Sequence, residues 1–148
     1  MIGSGSLFCL PLIHKLHMID DSNQILDTFQ QYAKTFESLN PLSVLSFYHY
    51  PAILISPDKV VTVKNWLEGS IVFAAVMVNL KIRGYGYSET ESLSVDQLSD
   101  RLAIVKGVVT RFKEDRTKLE CFGLAYTKQQ ENEGWKIVVG ALYELEPS

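Results

Sequence analysis

The chain predicts an α+β domain, with helices first and a long antiparallel meander after them. Up to Gly84, apolar residues recur at spacings of three and four, as in Ile25, Leu26, Phe29, Tyr32, Ala33, Phe36 and Leu39, the period of one helix face. From Tyr85 onward they alternate, and polar turns such as KEDRTK and QQENEG divide the alternation into long strands. Helices followed by strands belong to layered α+β folds and not to repeated βαβ units.

Asp21 or Ser22 suits the cap of the first helix, and Asn40-Pro41 ends its stripe. Pro41 fits the first turn of a second, short helix, with Leu42, Leu45 and Tyr48 or His49 on one side until Pro51 halts it. Residues 52–56 and 60–63 read as a small hairpin around Pro57-Asp58. Asn65 caps a third helix reaching about residue 83. It is apolar nearly all round, so cover is expected on most of its sides. Gly84 suits the left-handed position after its end. Four strands follow, roughly 87–96, 101–113, 118–128 and 134–144.

Strict alternation along the last strand sets Trp135, Ile137, Val139, Ala141 and Tyr143 on one face, with Val138, Gly140 and Leu142 on the other. Both faces are apolar in the middle, so helices on one side leave a second face to cover, and a homodimer through the outer sheet face is the simplest cover. Within the strands, Arg111 should face Glu120 across a KEDRTK turn. Lys106 shares a face with Ile104 and Val108, either at a dimer edge or lining a cavity.

A length of 148 residues suits one domain, able to bury about 70% of its unfolded surface without staples. Residues 1–19 read as an N-terminal extension and 20–148 as the domain, because Met18 stands just before the first convincing helix. The apolar run LFCLPLI in the extension is broken by Pro11 and lacks a basic start, and IVFAAVMV over 71–78 is also short. Both fall below the ~20 residues of a membrane span, so a cytoplasmic address is expected. A net charge of −3 with scattered Lys and Arg excludes the basic stripe of a nucleic-acid binder. Cys9 and Cys121 lack CxxC or CxxH surroundings and read as free thiols. His14 and His17 have too few partners for a metal site, and no metal, nucleotide or cofactor motif occurs elsewhere.

The stretches QILDTFQQYAKTFESLNPLSVLSFY, PAILISPDKVVTV, LKIRGYGYS and the closing GWKIVVGALYE resemble the nuclear transport factor 2-like superfamily over about residues 22–145. The chain looks most like small bacterial members related to the SnoaL-like polyketide cyclases and ketosteroid isomerases. The resemblance implies a cone-shaped α+β barrel, with three N-terminal helices packed on a curved, mixed, mainly antiparallel sheet around a mostly apolar pocket. It further implies a small apolar or carbonyl-containing ligand, or cofactor-free isomerisation, dehydration or cyclisation. Tyr32 falls where ketosteroid isomerase keeps its oxyanion-hole tyrosine. Continuing without gaps, Ser56 stands where that enzyme holds its general-base aspartate, and a serine cannot shuttle that proton.

His49 is the acid-base candidate, since imidazole titrates near neutrality; alternatively it interacts with the dipole at a helix end. Tyr32 is either a hydrogen-bond donor to a ligand or a core phenol with a satisfied hydroxyl. Tyr50, Ser56, Trp66 and Phe122 complete the expected pocket lining. Two functions fit: a small-molecule-binding domain, enzymatic if His49 serves as base and Tyr32 as donor, or a non-catalytic dimeric association module whose pocket is filled by its own side chains.

Overall fold

The computed structural model describes residues 18–146. Cys9, His14, His17 and nearly all of the expected extension lie outside the described residues. The first helix, α1, spans Ser22–Phe36 and buries Ile25, Phe29 and Tyr32, the stripe set by its three-and-four spacing. Its start is held by Asp20, which accepts from the Ser22 N–H, and by Gln97, which accepts from the Asp21 N–H; the Asp21 side chain makes no cap.

The second helical segment is a 3₁₀ turn, η1 (Pro41–Phe47), capped by the Asn40 side chain on the Leu42 N–H. It stops earlier than Pro51 suggested. Strand β1 (Tyr48–Ser56) already begins at Tyr48, so Tyr48, His49 and Tyr50 are strand residues and the helix-end role for His49 falls away. Pairing decides this: Tyr48 lies opposite Ile137 in a parallel ladder that sequence spacing does not register. Strand β2 (Lys59–Val63) closes the hairpin. Helix α2 (Trp66–Ile82) starts with the Asn65 side chain on the Glu68 N–H and ends before Gly84 at φ 84°.

Strands β3 (Tyr85–Gln97), β4 (Leu102–Lys113), β5 (Lys118–Glu131) and β6 (Gly134–Tyr143) form the meander. The sheet order is β2-β1-β6-β5-β4-β3. Only β1–β6 is parallel, and the sheet is mixed and open, with β2 and β3 at its edges. Interruptions in register bend it: one at Ser92–Leu93, where Ser92 has φ 57°, and one in β6 at Val138.

The β6 interruption corrects the expected faces. Thr127 pairs with Val139 but Lys128 with Ile137, leaving Val138 unopposed. An extra residue reverses the parity beyond it. Trp135 and Ile137 are buried on the concave face, together with Gly140, whose missing side chain leaves room for the Tyr126 ring, and Leu142. Tyr143 lies across Gly123 on the convex face. Lys106 is exposed on the convex face, opposite in parity to buried Val105.

The cover expected around α2 is one-sided. Gly69, Phe73, Met77 and Leu80 are buried, with Gly69 so close to Leu45 that a Cβ would sit 2.9 Å from its Cδ2. Leu67, Ile71, Val78 and Ile82 are more than half exposed.

Arg111 faces Glu120 across β4–β5 as the turn predicts. The Arg111 Nη1 and Arg83 Nη2 each donate to a different Glu120 oxygen at 2.7 Å. Burial pushes the Glu120 carboxyl up, but the two guanidiniums outweigh this and hold it below the usual range. Glu120→Ala strands the mostly buried Arg111 and should cost about 2–4 kcal/mol in urea unfolding. A carboxylate depressed in the folded state contributes stability above its ordinary pKa and loses it as pH falls through the folded value. The wild-type advantage over the variant should therefore vanish in acid titrations.

Candidate functional site

The concave face of β3–β6 and the inner stripe of α1 line a pocket of about 50 Å³. Its apolar walls include Phe29, Phe36, Val109, Leu124 and Leu142, and its polar groups are Tyr32, Ser88, Thr90, Arg111 and Tyr126. Arg111 sits between the Phe36 and Phe122 rings, 5.7 and 5.8 Å from their centroids. Stacking on rings and pairing with Glu120 together make a cation tolerable there.

At depth, the Tyr32 and Tyr48 hydroxyls share a hydrogen bond of 2.7 Å, and the buried Tyr126 ring packs beside Tyr32. Tyr32 stands edge-on to Tyr48, with centroids 5.6 Å apart, and 5.9 Å from the Tyr126 ring. Burial is the main cause that raises all three phenols, Tyr32 and Tyr48 well above their ordinary value. They remain neutral at physiological pH and can donate hydrogen bonds but not act as bases. The cavity lining holds neither carboxylate nor imidazole.

Of the residues singled out from sequence, Tyr32 lines the cavity and Phe122 adjoins it through Arg111. His49 does not line it: its Nδ1 lies 2.9 Å from the Pro51 carbonyl and its Nε2 3.4 Å from a Glu131 oxygen, both side chains 32% exposed. The Tyr50 hydroxyl donates to the Leu45 carbonyl, and burial pushes its pKa up to about 12. Trp66 is 55% exposed beside Tyr50, and Ser56 donates to Asp58 at the hairpin turn. His49 and Tyr32 are therefore not brought together around one cavity.

Sequence reasoning set Tyr48 at a helix end and passed over Tyr126 and Lys128. These two share the parity of Leu124 on β5, which is the signal that could have found them. Lys128 is 1% exposed; its Nζ donates to Thr28 Oγ1 at 2.7 Å, and that hydroxyl in turn donates to the Ile25 carbonyl. No carboxylate lies within ion-pair distance of it among the described residues. Burial, aided by Lys136, lowers its pKa from 10.5 to about 8. Nearby on the same face, the buried Trp135 Nε1–H has no partner among the described residues.

Helices filling the hollow of a bent, open, mixed sheet define the NTF2-like α+β class. The chain belongs to the family described as NTF2-like protein (DUF6841), whose profile matches residues 21–144. No curated protein matches it. Among solved structures it is similar to an NTF2-like protein with a cystatin-like fold from Novosphingobium aromaticivorans (13% identity, TM-score 0.70, 85% of this chain and 82% of that one). It is also similar to a ketosteroid isomerase-like protein from Erwinia carotovora (15% identity, TM-score 0.63, 86% and 98% covered). A third is an NTF2-like protein from Cytophaga hutchinsonii (12% identity, TM-score 0.65, 86% and 100% covered). At these identities the likeness is one of fold.

Tyr32→Phe leaves the buried Tyr48 hydroxyl without its 2.7 Å partner and should destabilise the domain by about 1–2 kcal/mol, measured by chemical unfolding. For Lys128, the lowered folded pKa means that between about pH 8 and 10.5 the unfolded chain binds a proton that the folded chain lacks. Stability from this group therefore rises with pH in that window, and its full cost, about 3 kcal/mol at most, is present below pH 8. Lys128→Met should raise the melting temperature at pH 7 and flatten the rise in stability between about pH 8 and 9.5.

Proposed function

We propose that this domain is a non-catalytic, self-associating module whose cone is closed by its own aromatic side chains. One observation carries the reading: about 50 Å³ remains inside the cone, where sites for drug-sized ligands span about 300–1,000 Å³. The deepest donors are also turned on one another, Tyr32 on Tyr48. The lining offers no base, and His49 is engaged with Pro51 and Glu131 outside it, so proton abstraction next to a carbonyl lacks an acceptor. The convex sheet face supports homodimer formation, since Ile53, Val139, Ala141 and Tyr143 lie on it and Ile53 and Tyr143 are exposed.

A second reading, a site for a small oxygen-bearing ligand, is favoured by Arg111, Ser88 and Thr90 converging on the cavity. A ligand of a few heavy atoms would set its oxygen toward Arg111 and its apolar part against Phe29 and Leu142.

Native mass spectrometry of protein taken directly from its host separates these. The module reading expects a multimer without an organic adduct; a small molecule retained one per chain would overturn it in favour of the second. Val139→Lys should shift the assembly toward monomer by light scattering, and an unchanged mass would remove the convex sheet face from the interface.

A further inference from the structure

Helix α2 carries two apolar stripes and the fold covers one. Gly69, Phe73, Met77 and Leu80 face the core. On the opposite side Leu67, Ile71, Val78 and Ile82 are 71%, 62%, 56% and 80% exposed, and exposed Ala75 lies between them. The spacing 67, 71, 75, 78, 82 is that of a helix–helix seam. Nowhere else among the described residues do this many strongly exposed large apolar side chains share one element. An apolar stripe of this length on a soluble domain marks a contact surface.

The charge pattern indicates what covers it. No ionisable residue occurs between Glu68, in the first turn, and Lys81, in the last, so the middle of the seam is wholly uncharged. Acid at the N-terminal end and base at the C-terminal end make the stripe complementary to itself when a second copy runs antiparallel. Each Glu68, which also accepts from its own Lys64 N–H, then lies at the same end of the contact as the other copy's Lys81, across the seam from it, and the helix dipoles oppose. Small Ala75 is the stripe residue nearest the midpoint, where two such helices approach most closely.

Resting on the self-association reading above, we infer that α2 docks antiparallel on α2 of a second copy, about a two-fold axis near Ala75. This interface is separate from the convex sheet face. A helix of 17 residues is about 25 Å long, and alone it offers less than the ~800 Å² per partner of a standard interface. The contact is therefore concentration-dependent, and a chain using both faces builds assemblies beyond a dimer.

Cysteine cross-linking of the full chain, with Cys9→Ser and Cys121→Ser, tests both the contact and its direction. Ala75→Cys should give a covalent dimer on mild oxidation. Leu67→Cys should not, except when mixed with Ile82→Cys. A Leu67→Cys homodimer would mean parallel packing, and no Ala75→Cys dimer would mean no such contact; either overturns the inference. With Cys9 retained, an intrachain link from Ala75→Cys to Cys9 would make the leading segment the occupant, and that too overturns it. Ile71→Glu should weaken association at least about tenfold while leaving the circular dichroism spectrum unchanged. If Ile71→Glu associates like wild type and Val139→Lys does not, the helix contact is wrong and self-association stands. If the wild type is monomeric at all concentrations, both fail.

Discussion

The structure depends on the bending of its sheet, and the bend depends on residues that the pairing leaves over. Val138 has no opposite residue between the Thr127–Val139 and Lys128–Ile137 pairs, so β6 changes parity and turns Trp135, Ile137, Gly140 and Leu142 to the same concave side. That turn brings β5 over α1. It sets Tyr126 within 5.2 Å of the Phe29 ring and 5.9 Å of the Tyr32 ring, and seats Tyr126 over Gly140, where a Cβ would come within 3.0 Å of its ring. A flat sheet would separate these aromatics from the helix and leave an open trough.

Two cations are drawn into the concave side, and the fold treats them differently. Arg111 is paired, with Glu120 facing it and aromatic rings flanking it. Lys128 meets only a hydroxyl, and its charged form is correspondingly less favoured. The contrast follows from donor geometry: a guanidinium can pair and stack together, while an ammonium in a dry site needs an acceptor for each proton. Arg111 thus secures the mouth of the cone, and Lys128 is a site of stored instability in its wall.

The interior is crowded while the outside retains apolar surface, and this sets the functional reading. Phenols that could have received a ligand bond one another, and the imidazole that could have moved a proton sits on a carbonyl and a carboxylate beyond the cavity. Exposed apolar surface lies instead on α2 and on the convex sheet, the two faces on which the proposed self-association rests.

Periodicity determined much of the architecture. Spacing of three and four located α1, the Asn65 cap and the apolar run up to Gly84 located α2, Gly84 marked the change to strands and takes a positive φ, and the KEDRTK turn put Arg111 against Glu120. The identity of Tyr32 as an inner residue of α1 was legible in the same way. What the sequence did not fix was every property set by partners distant along the chain. Tyr48 became strand because β6 pairs with it in parallel, the inward set of β6 was reversed by one unpaired valine, and His49 was carried away from Tyr32. Local spacing reports which face of an element is apolar. Only tertiary packing decides which apolar face is buried, as on α2, where the pattern was uniform and the neighbours chose one side.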